Sequence, residues 1–259
     1  MPGVPLLEDL GERLGILPRG PEHADRGIPP DPIRPLYAAL RASVNAFLRL
    51  AEDITTEGLE RVPRSGPAIL APNHLNVHDS TVLMAVVPRL IRFIGKAEYM
   101  DQAATRMFFM LFGNIPVDRS SADSGRAALE AAAHVLRQGD LFGIFPEGTR
   151  SRDGLLHKGR TGVARLSLET GVPVIPVGLI GTDGLQAYDD GVFVIRTGKS
   201  VTVRFGEPVR PDRYAARSNE TLAPRQMTDD VMFEIANLSG QRYVDEYTVR
   251  PGEQDSRRD

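Results

Sequence analysis

Short apolar runs alternate with helix-like stretches along most of this chain, and this alternation limits the fold more than any other feature of the sequence. Runs typical of β-strands lie at 68–71, 91–95, 141–145, 174–180, 193–196 and 201–205. Helical patterns lie at 80–87, 101–112, 124–137 and 159–169. Strands that alternate with helices build a sheet covered by helices. We therefore expect an α/β fold with a single mixed sheet flanked by helices.

The two ends of the chain differ from this central part. Residues 1–31 are rich in proline and charge and predict an irregular arm, while 248–259 predict a polar tail. Within 32–57, apolar residues recur at helical spacing with arginines among them, which indicates an N-terminal amphipathic helical segment. Such a helix can dock on its own domain or lie in a membrane interface, since arginine suits anionic headgroups. The α/β domain itself is expected at 58–247.

Net charge and cysteine content exclude several classes of function. The formal charge is -3 over 259 residues, so no overall basic field favours a nucleic acid as partner. The chain has no cysteine, which excludes disulfides, thiolate metal ligands and a cysteine nucleophile. The first residues lack the basic start and apolar core of a signal peptide, so we expect a cytoplasmic location. No apolar run reaches the roughly 18 to 20 residues that a membrane-spanning helix needs.

A histidine and an aspartate frame the turn after the strand predicted at 68–71, in the sequence NHLNVHD at 73–79. Residues five apart on a regular helix would not face each other, so only a turn can bring His74 and Asp79 together. Asp79 would then accept a hydrogen bond from one imidazole nitrogen and leave the other free to take a proton from a hydroxyl. A structural histidine that merely satisfies the turn fits the same spacing.

A metal site is a further interpretation of this turn. His74 and His78 have the i, i+4 spacing of H-E-x-x-H zinc sites. Leu75 stands where that motif carries its glutamate base, and Pro72 argues against a regular helix at this point. We expect no metal site, but a metal-dependent hydrolase that uses His74 and His78 stays open as an alternative.

An anion site is predicted by the sequence FPEGTRS at 145–151, which follows an apolar strand. Its proline and glycine close a turn that presents a carboxylate, a hydroxyl, backbone N–H groups and a guanidinium together. Arginine and free amides suit a phosphate or a carboxylate. Lys96, Arg119 and Lys158 follow other strands or turns. Because strand ends converge at one edge of an open α/β sheet, these groups can form a pocket beside His74.

Four blocks in a fixed order give the chain a specific resemblance. They are NHLNVHD at 73–79, GNIPVDR at 113–119, FPEGTRS at 145–151 and VPVIPVG at 172–178, with the pair Lys158 and Gly159 before the last. In these blocks the chain resembles the PlsC-like 1-acylglycerol-3-phosphate acyltransferases, a family of glycerolipid acyltransferases. The resemblance extends from about residue 58 to residue 209.

The resemblance implies an O-acyltransferase of phospholipid biosynthesis. It would move a fatty acyl group from acyl-CoA or acyl carrier protein to a hydroxyl of lysophosphatidate or glycerol 3-phosphate. His74 would be the general base, and Asp79 would orient it. The phosphate of the acceptor would be bound by Arg119, Glu147, Gly148, Thr149, Arg150 and Lys158. Supporting positions would be Asn73, Lys96 and Ser151.

The resemblance also implies that no cofactor is needed beyond the acyl thioester as co-substrate. Because the N-terminal apolar segment is shorter than in many relatives, we expect peripheral attachment to the cytoplasmic face of a membrane. Pro116 stands where many relatives have an aromatic or aliphatic residue, which leaves the acceptor preference open. A lipid-binding module that keeps the fold without turnover is the non-enzymatic interpretation.

Overall fold

The computed structural model describes residues 39, 41–43, 45–46, 53–96, 114–117, 124–189, 192–195, 200–215 and 222–248. Besides the helical residues within 39–46, these residues form eleven strands and five α-helices. The strands are β1 Asp53–Glu57, β2 Ala68–Pro72, β3 Ile91–Lys96, β4 Ile115–Val117, β5 Leu141–Gly143, β6 Leu156–His157, β7 Val174–Ile180, β8 Gln186–Asp189, β9 Val192–Ile195, β10 Ser200–Phe205 and β11 Tyr243–Val244. The helices are α1 Asp79–Val86, α2 Ser124–Arg137, α3 Gly162–Thr170, α4 Asp212–Ala215 and α5 Leu222–Ser239. Two short 3₁₀ helices, Leu59–Arg61 and Thr182–Leu185, complete these elements.

Seven of the strands form one mixed sheet in the order β1-β10-β7-β2-β5-β3-β4. All neighbours in it are parallel except β10 and β7, which are antiparallel. The carboxyl ends of β2, β5, β3 and β7 therefore meet at one edge, where open α/β sheets bind ligands. This arrangement confirms the predicted α/β fold with a mixed sheet. The pairs β6–β11 and β8–β9 form two small additional sheets.

Strand β2 lies at the centre of the sheet because it is apolar on both faces. Ala68 and Leu70 belong to the core cluster under α1, whereas Ile69 and Ala71 belong to the cluster formed with α2, α3 and α5. Successive side chains of a strand point to opposite faces, so a continuous apolar run is what a strand between two helical layers requires. Burial of each large aliphatic side chain contributes about 1.5–3 kcal/mol. The loop after β2 thus starts from a strand whose five residues are all buried.

Most predicted elements agree with the observed ones to within a few residues. Helix α2 has the predicted bounds, while α3 begins three residues later than predicted. The strand predicted at 141–145 ends at Gly143, and the one predicted at 193–196 is β9, which lies outside the main sheet. The helix predicted at 101–112 lies outside the described residues.

The N-terminal segment requires a correction. Residues 53–57, assigned to the amphipathic helix, form the edge strand β1, because Ile54 packs inward while β1 pairs with β10. The described residues among 39–46 are helical. Among them, Asn45 donates from Nδ2 to the Ala85 carbonyl at 2.8 Å, so this part contacts its own domain through the last turn of α1. Over the described residues, every helix is too short or too polar to cross a membrane.

Helix α5 has no counterpart among the predicted elements, although it covers much of the sheet. Its buried residues Met227, Val231, Met232 and Ile235 have helical spacing, and this was the available signal. The helix packs on β7 so closely that a Cβ at Gly178 would lie 2.6 Å from the backbone of Leu238. A glycine in β7 therefore sets the distance between the sheet and the last turn of α5.

We expect Gly178→Ala to lower the free energy of unfolding by about 1–3 kcal/mol, because the added methyl group overpacks this contact. Gly125→Ala is the matched control, since Gly125 lies in α2 with nothing within 4 Å of the new Cβ, and it should be neutral or stabilising by up to about 1 kcal/mol. Urea unfolding measures both changes. Equal midpoints for the two variants would contradict the close approach of α5.

Candidate active site

His74 and Asp79 are in contact in the loop that joins β2 to α1. The Nδ1 atom of His74 lies 2.8 Å from Oδ2 of Asp79. Asp79 is fully buried as the first residue of α1, whereas the His74 side chain is 17% exposed. The turn that the sequence analysis required is therefore present. The imidazole keeps one edge accessible and has the other against the carboxylate.

The same oxygen of Asp79 holds the loop itself. It accepts hydrogen bonds from the backbone N–H groups of Leu75 at 2.7 Å and Asn76 at 2.8 Å. A carboxylate at a helix N-terminus is also favoured by the helix dipole. Because an ionised carboxylate only accepts, Nδ1 of His74 must donate to it, and Nε2 then carries the lone pair. The arrangement selects the tautomer of a proton acceptor.

An aromatic ring fixes the plane of the imidazole. The rings of His74 and Phe145 stack with centroids 3.8 Å apart and an angle of 18° between their planes. The Phe145 ring also stacks on the Phe93 ring, with the two centroids 5.7 Å apart. A Cβ at Gly143 would lie 2.1 Å from the Phe93 ring, so the absence of a side chain there makes room for the stack. Sequence analysis missed this role of Phe145, whose only signal was an aromatic residue at the head of the FPEGTRS block.

The FPEGTRS loop binds the backbone of His74 on both sides. Oε1 of Glu147 accepts the His74 N–H at 3.1 Å, and the Ser151 N–H donates to the His74 carbonyl at 2.7 Å. Gly148 closes the turn with φ 77°, and its N–H donates to the Phe145 carbonyl. Thr149 is half-buried and Arg150 exposed on the same turn. The supporting role predicted for Ser151 is thus a backbone contact, and its buried hydroxyl donates to Asp153.

Glu147, which the resemblance places among the phosphate-binding residues, bonds to the protein backbone through both of its carboxylate oxygens. Its side chain is buried, and its second oxygen, Oε2, accepts the His157 N–H at 3.1 Å. Burial raises the pKa of Glu147 to about 7, although the two backbone hydrogen bonds oppose that shift. The Glu147 carboxylate therefore joins the segment of His74 to that of His157. An ionised carboxylate would also repel a phosphate, so this side chain is better suited to holding the two segments together.

Asn73, the residue before His74, bonds to the neighbouring strand β7. It is fully buried, donates from Nδ2 to the Leu179 carbonyl at 2.9 Å, and accepts the Leu179 N–H at 2.7 Å. Its amide thereby extends the pairing of β2 with β7 by one residue. Nδ2 also donates to Oε1 of Gln241 at 2.7 Å, a residue near the C-terminus that sequence analysis did not single out.

The predicted basic residues have different positions. Nζ of Lys158 lies 2.8 Å from Oδ1 of Asp245, and this hydrogen bond raises the pKa of Lys158. Lys96 is the last residue of β3, but only its backbone is described. Arg119 lies outside the described residues. The structure therefore brings Lys158 and the FPEGTRS loop to the same region, through the His157 N–H that Glu147 accepts.

The metal alternative finds no support in the donor set. Nδ1 of His74 already donates to Asp79, and among the described residues no three His, Asp or Glu side chains gather in a way that could hold a metal ion. His78 is the N-cap residue of α1, and its N–H donates to Oδ1 of Asn76. Burial lowers the pKa of His78, and the charge of Asp79 opposes this shift.

Comparison with known proteins identifies relatives of this domain. The Acyltransferase family model matches residues 53–180. The 1-acyl-sn-glycerol-3-phosphate acyltransferase of Borreliella burgdorferi is 30% identical over 57% of this chain and 59% of its own length. The chloroplastic 1-acyl-sn-glycerol-3-phosphate acyltransferase LPAT1 of Arabidopsis thaliana is 32% identical over 50% of this chain and 36% of its own. The matched stretch thus spans about half the length of these curated relatives.

A solved structure shares the fold. The crystal structure of PlsC from Thermotoga maritima, a 1-acyl-sn-glycerophosphate (LPA) acyltransferase, aligns with a TM-score of 0.62 and 24% identity. The alignment covers 89% of this chain and 88% of that chain. The alignment extends beyond the part that the family model matches.

The titration of Glu147 predicts a pH dependence of stability. Its pKa is about 7 in the folded protein against 4.5 for the free group, so its contribution to stability is complete below pH 4.5 and is lost as the pH rises to about 7. The loss should be about 3 kcal/mol. Glu147→Gln cannot titrate and leaves one of the two N–H groups without its acceptor, at a cost of about 1–3 kcal/mol. Denaturant unfolding of both proteins from pH 4.5 to 7.5 measures the difference, and parallel curves would contradict it.

The stack on His74 can be tested without an assay of activity. Phe145→Leu removes the ring but keeps an apolar side chain, so the carbon-bound protons of the His74 ring should lose an aromatic ring-current shift and move downfield in NMR spectra. The unfolding free energy should fall by about 0.5–1.5 kcal/mol or more. Phe145→Tyr keeps the ring and serves as the control. Identical His74 resonances in wild type and the leucine variant would show that the rings do not stack in solution.

Proposed function

We propose that this chain transfers a fatty acyl group from an acyl thioester to the free hydroxyl of lysophosphatidate in phospholipid biosynthesis, because its residues 53–180 match the Acyltransferase family model. Two of its relatives are named for 1-acyl-sn-glycerol 3-phosphate, which supports this acceptor. Glycerol 3-phosphate, which has the same phosphate and a free hydroxyl, is the alternative acceptor.

The observation that carries the proposal is the contact between His74 Nδ1 and the buried carboxylate of Asp79. With Nδ1–H donating to Asp79, Nε2 takes the proton of the acceptor hydroxyl while the hydroxyl oxygen attacks the thioester carbonyl. The tetrahedral intermediate then expels the thiolate, which takes the proton back from Nε2. The products are an ester and a free thiol, and the histidine returns to its starting state. Asp79 stabilises the imidazolium between these two steps.

The acceptor phosphate would lie against the turn of the FPEGTRS loop. The exposed Arg150 can pair with phosphate oxygens, and Thr149 offers a hydroxyl beside it. Lys158 and Arg119 stay in the proposed phosphate set. Glu147 leaves that set, since its carboxylate bonds the backbone of His74 and His157 and thereby ties the loop to the base.

A membrane surface is the proposed working environment, because lysophosphatidate carries an acyl chain that resides in a bilayer. Val77 supports this location, since it is 47% exposed only three residues from His74. An exposed aliphatic residue beside a base is suited to contact with acyl chains or headgroups. The proposed attachment is peripheral. The acyl donor can be acyl-CoA or acyl carrier protein, and the chemistry described needs no cofactor.

We expect His74→Ala to lower thiol release by about 10²–10⁴-fold, the usual effect of the loss of a general base. The assay follows the free thiol from palmitoyl-CoA, with lysophosphatidate and glycerol 3-phosphate offered separately, and the acceptor that supports turnover identifies the substrate. His134→Ala is the matched control, because His134 is an exposed histidine in the last turn of α2. It should retain the wild-type rate.

Three outcomes would contradict the proposal. Wild-type protein that releases no thiol with either acceptor and either kind of donor would favour the non-catalytic lipid-binding module. A rate that His74→Ala leaves unchanged would make the turn at His74 structural. Loss of wild-type activity with a chelator would instead favour the metal-dependent alternative.

A further inference from the structure

The residues after α5 form a strap, 240–248, that lies along the candidate active site although it is outside the stretch matched by the family model. Its strand β11 pairs in parallel with β6. The Leu156 N–H donates to the Arg242 carbonyl, and the Lys158 N–H donates to the Glu246 carbonyl, each at 3.0 Å. The strap is therefore hydrogen-bonded to the segment that carries Lys158.

The strap also reaches the residue next to the base. Gln241 accepts from Nδ2 of Asn73 at 2.7 Å and donates from Nε2 to the Gly154 carbonyl at 2.8 Å. Asn73 directly precedes His74, and Gly154 follows the FPEGTRS loop. One side chain of the strap thus connects the two loops from which the site is built.

The ammonium group of Lys158 is held by the strap. It pairs with Asp245 at 2.8 Å and lies 5.7 Å from the centroid of the Tyr247 ring. The Lys158 side chain is 25% exposed and that of Asp245 is 73% exposed. Among the charged groups around it, Arg225 bonds to Asp229, and the guanidinium of Arg160 lies 5.4 Å from the Tyr247 ring. Solvent screens an ion pair this exposed, so the pair is weak and another anion can displace Asp245 from Lys158.

We propose that Asp245 is a specificity-determining residue that acts through Lys158: it is an internal counter-ion that the acceptor phosphate must displace. This inference rests on the proposed function and concerns which acceptor headgroups the site selects. A dianionic phosphate can displace the Asp245 carboxylate from Lys158, because its higher charge and its three oxygens bind an ammonium group more strongly. A neutral or zwitterionic headgroup gains less at Lys158 and leaves the pair with Asp245 intact.

Asp245→Asn tests the proposal because it removes the charge and keeps the shape at an exposed position. We expect the KM for lysophosphatidate to fall about two- to fivefold with kcat unchanged, since the competitor is lost but the chemistry is not. The matched control is Glu207→Gln, which removes an acid of similar exposure, 79%, from an ion pair with Arg61 at 2.7 Å. It should leave KM unchanged.

Lys158→Met decides whether Asp245 acts through the lysine. In that background Asp245→Asn should no longer change KM, whereas an effect that persists would mean a general change in surface charge and would overturn the proposal. An unchanged KM in Asp245→Asn alone, or a fall in kcat, would overturn it as well.

Equilibrium binding of inorganic phosphate separates this inference from the proposed function. Calorimetry on the full chain should show that Asp245→Asn binds phosphate about two- to fivefold more tightly than wild type and Glu207→Gln. If wild type releases no thiol but this difference appears, the proposed function fails and the counter-ion role holds. If thiol is released but the phosphate affinities are equal, or no protein binds phosphate, the counter-ion role fails.

Discussion

One carboxylate oxygen organises the whole loop between β2 and α1. A buried charge is costly unless hydrogen bonds surround it, and Oδ2 of Asp79 receives the His74 ring and the backbone N–H groups of Leu75 and Asn76. The same three contacts set the path of the chain, the start of α1 and the orientation of the imidazole. Because they share one atom, none of these features can change without the others. Electrostatic contacts thus hold the loop together, even though it contains no regular structure.

The backbone of His74 is the second point on which the site depends. Its N–H and its carbonyl both bond to the FPEGTRS loop, through Glu147 and Ser151 respectively. Glu147 also bonds the segment of His157, and the strap 240–248 is hydrogen-bonded to that segment. Parts of the chain that are far apart in sequence are therefore connected to the proposed base within a few hydrogen bonds. The proposed division of labour follows: buried groups hold the base, and exposed groups such as Arg150 and Lys158 meet the phosphate.

The sequence was sufficient for those features that depend on local patterns. The apolar run at 68–71 predicts a strand, and the spacing of His74 and Asp79 shows that only a turn can bring these two side chains into contact. The hydrogen bonds of Glu147 could not be predicted, because its partners, the amides of His74 and His157, are identified only by the folded chain. Likewise β1 resembles the end of a helix until its partner β10 is known, since a strand at a sheet edge is defined by its neighbour. Asp245 lies 87 residues after Lys158 in the sequence (245 − 158), and no local pattern indicates that the two meet.

The stack of Gly143, Phe93, Phe145 and His74 connects the interior of the sheet to its edge. Phe93 fits because position 143 carries no side chain, Phe145 lies near Phe93, and the imidazole lies on Phe145. The orientation of the partly exposed His74 ring thus depends on the space that Gly143, which has no side chain, leaves for the Phe93 ring. Substitutions at Gly143 or Phe93 would therefore disturb the orientation of the His74 ring from a distance. Their effect would resemble that of a substitution in the candidate active site. Tolerance to mutation in this protein should accordingly be lowest along a line that runs inward from His74, and it cannot be judged from surface exposure alone.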